Sequence, residues 1–274
     1  MTGIKNRKTR LVYFSPTGTS KRTAEAVARG LGTEFERVDL TLPDAEAEKH
    51  GFKSDELAII AVPVYGGRIP YTAVRRLKNV KGSQGPAVIV VVYGNRAYED
   101  ALIELNDIAL GQGFQPIAGA AFIGEHSFDT PETPIATGRP DEADLGKAEA
   151  FGEQVKVKLG LGEVPELVVP GNRPYRENRD WNKPLEEREK VEPLSPETDP
   201  ETCTLCGRCI QVCPTAAVNV TDSVNTVEIE CIACTACVKS CPTGARAWKH
   251  ERVRMAASWL HANYSVRREP ETFL

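Results

Sequence analysis

Residues 8–32 read KTRLVYFSPTGTSKRTAEAVARGLG, and this stretch decides the fold. Its first part, KTRLVYFS (8–15), is apolar and β-branched, which marks a strand. A Thr-Gly turn follows. Beyond the turn, Ala24, Val27, Ala28 and Leu31 recur at i, i+3, i+4 and i+7, so one face of a helix is apolar. Gly30 and Gly32 are expected to close that helix.

Working outward, the same alternation continues for about 160 residues. Strands fit FERVDL (35–40), LAIIAVPVY (57–65), AVIVVVY (87–93) and IAGAAFIG (117–124). Helices fit 71–80, 97–111 and 142–159. Five strands, each returning through a helix, imply an α/β domain with a parallel sheet covered on both faces.

From Gly162 to Thr202 the periodicity collapses into Pro, Glu, Arg and Asn, with PGNRPY at 170–175. Forty structureless residues are unusual inside a compact domain. Pro174, Tyr175 and Trp181 offer apolar anchors that a free tether would not need, so the segment is expected to wrap over the surface. The expected division is therefore 1–162, a connector at 163–199, and a second domain at 200–274 ending in a helix near 246–264. That helix would carry Val253, Ala256, Ala257 and Leu260 inward.

The second domain holds all eight cysteines, in two identical runs. Cys203, Cys206, Cys209 and Cys213 precede Pro214; Cys231, Cys234, Cys237 and Cys241 precede Pro242. Each run reads C-x2-C-x2-C-x3-C-P, and the second starts 28 residues after the first. A zinc ribbon would use two CxxC pairs and leave four cysteines unexplained. Disulfides would suit a secreted chain, but MTGIKNRKTR (1–10) has no apolar segment behind its basic residues. The runs resemble those of bacterial two-cluster ferredoxins, which hold [4Fe–4S] cubes. In that family the fourth cysteine of each run crosses to the other cube. The resemblance implies one cube on Cys203, Cys206, Cys209 and Cys241, and another on Cys231, Cys234, Cys237 and Cys213, in a small α+β dicluster domain.

Composition narrows the classes. At 41% hydrophobic and 26% charged residues, the chain is ordinary globular material. The longest apolar run, AVIVVV (87–92), is too short to span a bilayer, so no membrane insertion is expected. No basic face with interleaved aromatics appears, which argues against nucleic acid. The formal net charge of −4 becomes about −8 with two oxidised cubes and their thiolates. Clusters of this kind point to a reducing, anaerobic cytoplasm.

In an open α/β sheet, ligands bind beyond the carboxyl ends of the strands where strand order reverses. After strand one stands SPTGTS (15–20), whose hydroxyls and helix-start N–H groups can converge on a phosphate. By itself this is also a well-capped helix start. After strands three and four stand VYGGR (64–68) and YGNRAY (93–98), with tyrosines among glycines suited to lie against a ring.

That constellation resembles flavodoxin, a doubly wound five-stranded sheet of order 2-1-3-4-5 that binds FMN. Ser15, Thr17, Gly18, Thr19 and Ser20 match the family's phosphate loop. The resemblance implies that Ser15, Thr17, Thr19 and Ser20 hold the phosphate. Tyr65, Gly66 and Gly67 would border the isoalloxazine on one side, and Gly94, Asn95 and Tyr98 on the other. Asn95 replaces an acidic residue of the family pattern, and Arg68 and Arg96 add positive charge. That charge should favour the anionic reduced flavin and make its reduction potential less negative than in acidic flavodoxins.

The whole chain resembles flavodoxin–ferredoxin fusions of anaerobes. GEHSF (124–128), GRPD (138–141) and PGNRPY look like that group, which puts His126 and Arg139 near the flavin or the domain seam. His126, an imidazole titrating near neutrality, is a candidate proton donor; it would otherwise only order its loop. Arg246, Lys249, Arg252 and Arg254 read as a solvated helix face or a docking face. The expected function is electron transfer among FMN, two [4Fe–4S] clusters and external protein donors and acceptors. The alternative is a flavin-dependent reductase in which the clusters feed FMN and a hydride passes to a small acceptor. No G-x-G-x-x-G opens a helix after a strand, so no separate nicotinamide site is expected. A flavin-free dicluster protein is a third reading.

Overall fold

The computed structural model describes residues 7–161, 166–188 and 194–274. The boundary expected at residue 162 and the first six residues lie outside them. Strand β1 (Thr9–Tyr13) leads into helix α1 (Thr19–Leu31), then β2 (Phe35–Asp39) and β3 (Leu57–Pro63). Helix α2 (Tyr71–Leu77), β4 (Pro86–Tyr93), α3 (Ala101–Gly111), β5 (Gln115–Ile123) and α4 (Glu142–Gly160) complete the first body. β1 pairs in parallel with both β2 and β3, β3 with β4, and β4 with β5, giving the order 2-1-3-4-5.

Alternation along the pleat divides the core. Leu11, Tyr13, Ile59, Ala61, Val88 and Val90 face α1 and α4, while Val12, Phe14, Ile60, Val62, Ile89 and Val91 face α2 and α3. Each such side chain contributes ~1.5–3 kcal/mol by leaving water. Gly32, at φ 69°, caps α1, but Gly30 lies within the helix. A Cβ on Gly30 would stand 1.9 Å from the Glu149 carbonyl oxygen, and one on Gly152 would stand 2.1 Å from that of Val27. Gly30 thus serves the close packing of α1 on α4 rather than helix closure.

The cysteine-bearing part contains α5 (Arg208–Gln211), the hairpin β6 (Val218–Val220) and β7 (Val224–Thr226), α6 (Ala236–Lys239) and α7 (Glu251–Tyr264). The chain then returns to the first body. β8 (Glu271–Phe273) pairs antiparallel with β5, making a six-stranded sheet. In space, therefore, the last segment crosses the division drawn at residue 200.

The described part of the connector packs on the first body. Leu167 and Val169 are buried in its core. The Asp100 carboxylate accepts from the Asn172 and Arg176 backbone N–H groups, each at 2.8 Å. Asn182 is fully buried; its Oδ1 accepts from Tyr71 N–H at 2.7 Å and its Nδ2 donates to Ile69 C=O at 3.0 Å. Arg76, also buried, donates to the carbonyls of Leu40, Thr41 and Pro214, and so bolts the sheet to the first cysteine run.

Candidate cofactor sites

A cavity of about 470 Å³ opens at the carboxyl ends of β1, β3, β4 and β5. Thr17 and Thr19 line it from the β1–α1 loop, Tyr65, Gly66 and Gly67 from the loop after β3, and Gly94 and Arg96 from the loop after β4. Glu125, His126 and Phe128 follow β5. The far wall comes from Arg179, Trp181 and Leu194 of the connector, Ala233 between two cysteines, and Arg252, Ala256, Trp259 and Leu260 of α7.

The β1–α1 turn is a cradle for an anion. Gly18 sits at φ 82° and its N–H closes on Ser15 C=O at 3.0 Å. Ser15 Oγ accepts from Lys21 N–H at 3.0 Å, so that hydroxyl braces the loop. Ser20 Oγ is buried and has no hydrogen-bond partner among the described residues. The first N–H groups of a helix lack intrahelical acceptors and carry the positive end of its dipole. An orphaned buried hydroxyl beside such a start fits a phosphate. Gly66 and Gly67, at φ 63° and 87°, form a tight turn against Arg179 and Glu99 that a Cβ would obstruct.

Two residues of the YGNRAY loop point elsewhere. Asn95 Nδ2 donates to Val266 C=O at 2.9 Å and also to Tyr264 C=O. Tyr98 donates to Glu271 at 2.9 Å. Neither lines the cavity; both hold the C-terminal segment. Arg139, buried, forms a forked pair with Asp144 and donates to Arg268 C=O at 2.8 Å, so it too anchors that segment.

None of the eight cysteines is paired in a disulfide. Cys213, Cys231, Cys234 and Cys237 together line a second, small cavity of about 20 Å³. Cys213 comes from the first run and the other three from the second, the grouping that the ferredoxin resemblance implies. Among the described residues no three such side chains close around a single metal ion. Thiols that each hold a different iron of a cube stand farther apart than ligands of one ion. Burial pushes the Cys231 thiol up to about 11 and Cys234 well above its usual value. Iron bound there would have to deprotonate them. Around the other set, Cys206 is exposed, Cys203 and Cys241 are half-buried and Cys209 is buried.

Comparison with known families gives the same two halves in the same order. A Flavodoxin match spans residues 11–138, and a 4Fe-4S dicluster domain match spans 169–256. The chain is a flavodoxin–ferredoxin fusion. FMN and two [4Fe–4S] clusters are the cofactors of these domains, and electron transfer is their role. Similar solved structures include a flavodoxin from the Archaea, 14% identical with TM-score 0.36, covering 56% of this chain and 98% of its own. The flavodoxin of Streptococcus pneumoniae TIGR4 is 17% identical with TM-score 0.36, at 55% and 98% coverage. Flavodoxin 2 of Bacillus cereus is 15% identical with TM-score 0.37, at 53% and 94%. No curated protein matches the chain. No helix among the described residues is long and apolar enough to cross a membrane.

In the fusion, the cluster segment clasps the flavin loops. Thr235 Oγ1 donates to Ser127 C=O at 2.6 Å, and Lys239 pairs with Glu125. Phe128 meets Trp248 edge-on at 5.3 Å. Tyr65 tilts against Trp181 at 6.0 Å. Its hydroxyl is held well above its ordinary pKa, by burial first and then by the charges that Cys234 and Cys231 carry as thiolates. Tyr65 therefore lines the cavity within electrostatic reach of Cys234 and Cys231.

His126 lines the cavity, but burial lowers its pKa to about 4, with Arg96 and Lys239 adding to the effect. Its Nδ1 accepts from Phe128 N–H at 2.9 Å. The imidazole is thus neutral at pH 7, able to offer a hydrogen bond but not to act as an imidazolium acid. Arg68 is spent on a forked pair with Glu104 at 2.8 Å, stacked on Tyr175, so it presents no free charge to the flavin side. The guanidinium groups that line the cavity are those of Arg96, itself paired with Glu99 at 2.9 Å, Arg179 and Arg252. The four basic residues behind the second run also separate. Arg246 is buried, Lys249 and Arg254 are exposed, and Arg252 reaches the cavity. Trp259, Leu260 and Ala233 carry no local sequence signal for a flavin wall, because only the chain's return brings them there.

Proposed function

We propose that the fusion is an internal electron relay. The observation that carries this reading is the shared wall: Ala233, flanked by Ile232 and the ligand Cys234, lines the flavin cavity directly. Bound FMN would supply one- and two-electron chemistry, and each cube one-electron chemistry. Ser15, Thr17, Gly18, Thr19 and Ser20 hold the phosphate, and Tyr65, Gly66, Gly67 and Gly94 border the ring. Asn95 and Tyr98 support the site by holding the C-terminal segment. Cys231, Cys234, Cys237 and Cys213 form the cube next to the flavin. Cys203, Cys206, Cys209 and Cys241 form the outer one, whose exposed Cys206 faces protein donors and acceptors.

Ala256, Trp259 and Leu260 of α7 and Trp181 of the connector stand over the side of the cavity that faces away from the strand ends. A neutral His126 and this cover favour the carrier over hydride delivery to a small acceptor. Eight cysteines committed to iron support a reducing cytoplasm as the compartment. The test is rapid anaerobic mixing of the fully loaded protein with less than one equivalent of reductant, following flavin and cluster absorbance. Redistribution at a rate independent of protein concentration is expected. A rate proportional to concentration, or turnover of a small hydride acceptor faster than redistribution, would overturn the relay.

A further inference from the structure

Arg246 is 3% exposed, yet among the described residues no carboxylate pairs with it. It sits in a two-residue pairing, Arg246 opposite Thr198 and Ala247 opposite Glu197, that fastens the connector's end to the second cysteine run. Its guanidinium is fixed by three contacts. Nη1 donates to Thr198 Oγ1 at 2.8 Å, and Nη2 to Thr226 Oγ1 at 2.9 Å. Nη2 also donates to Cys237 Sγ at 3.6 Å. Nε has no partner. A buried guanidinium without a counter-charge is costly, because two hydroxyls and a sulfur replace only part of its lost hydration.

The missing negative charge has an evident source in the cysteine thiolates. Cys237 on α6 and Cys209 on α5 share one small buried cluster with Cys213. Arg246 touches Cys237 directly, and Cys237 packs in one cluster with Cys209. In the grouping given above, Cys209 and Cys237 belong to different cubes. The guanidinium is therefore near both. An electron added to either cube adds a negative charge to a poorly hydrated site, where a fixed cation acts strongly.

We propose that Arg246 is the shared internal counter-ion of the two clusters, holding both reduction potentials up, the Cys237 cluster more than the other. It is a tuning residue and takes no part in ligation. The proposal requires the two clusters but not the relay, since each cluster potential is read with external mediators.

The experiment is an anaerobic redox titration of the full chain, loaded with both clusters and FMN, followed by electron paramagnetic resonance. In Arg246→Gln, reduction of both clusters should become harder. The shift for the Cys237 cluster should be at least tenfold in the reduction equilibrium, or ~59 mV for a one-electron couple. Arg246→Lys, which keeps the charge but loses the fork, should fall between Gln and wild type. A Gln variant with both clusters at unchanged potentials would overturn the proposal. If Arg246→Gln fails to assemble clusters, the wild-type chain carrying guanidino-15N arginine decides the matter. Nitrogen coupling to the reduced Cys237 cluster supports the contact, and its absence overturns it.

Discussion

One wall of the flavin cavity is built by Thr17, Thr19, Tyr65, Gly66, Gly94 and His126, all at the carboxyl ends of parallel strands. The facing wall is built by Trp181, Ala233, Arg252, Trp259 and Leu260, brought in from three later segments. The first wall is what a doubly wound sheet provides wherever its strand order reverses. The second depends on long-range contacts: Asn182 under α2, Thr235 on Ser127, and the tail on Asn95 and Arg139. Sheet topology thus creates a flavin site, but the second wall decides what the flavin faces. On the proposed reading, a flavin bound here would have the Ala233 loop of the second cysteine run as part of its surroundings.

Breaking the second wall's anchorage should have the largest effect. Arg68 and Glu104 are both nearly buried, and Arg68 also donates to Arg176 C=O in the connector at 2.5 Å. Glu104→Ala leaves that guanidinium uncompensated and should cost about 3–5 kcal/mol in denaturant unfolding. A loss under about 1 kcal/mol would mean that the connector is held without this pair.

Deleting residues 266–274 removes the contacts of Arg267 with Asp141 and Asp144, of Arg268 with Arg139, and of Glu271 with Tyr98. FMN retention should weaken about tenfold, equivalent to ~1.4 kcal/mol, as measured by flavin fluorescence on dilution. Unchanged affinity would show that the strand-end wall suffices alone. Ser20→Ala probes the strand-end wall with an effect of mixed sign. It removes an orphaned buried hydroxyl, so the flavin-free protein should gain up to ~1 kcal/mol while FMN binding weakens. Parallel urea titrations with and without FMN separate the two.

The smallest effect at neutral pH belongs to His126. Its folded pKa, about 4, lies below the ordinary value of 6.5, so the unfolded chain takes up the proton first. Its contribution is complete above about pH 6.5 and is lost as pH falls toward 4. In His126→Gln the stability difference between pH 7 and pH 5 should shrink. An identical difference would mean that the imidazole is reached by solvent and titrates normally.

The five parallel strands were legible because runs such as LAIIAVP and AVIVVV are buried on both faces, and their alternation with amphipathic helices has few other solutions. The cysteine runs were legible because cube ligation fixes spacing. The connector's wrapping followed from Tyr175 and Trp181, and both do pack, on Arg68 and Tyr65. β8 was not legible: its three residues, ETF, follow a charged stretch and gain strand character only from β5's open edge. Arg68, Asn95 and Arg246 could be read as polar residues near the right place. Which partner each takes depends on segments distant in sequence, so their roles emerge only from the assembled chain.

The return of β8 to the sheet has a consequence for biosynthesis. When Ile123 has left the ribosome, the first five strands can pair, yet the outer edge of β5 stays bare until Phe273 emerges. At ~5–20 residues per second that interval is roughly 8 to 30 seconds. For that time the nascent sheet carries an unpaired edge that invites association with other chains. The half-built pocket also lacks α7. Stable insertion of flavin and assembly of the seam therefore wait until residue 273 has emerged, and translation speed between Ile123 and Phe273 bears on the yield of fully loaded protein.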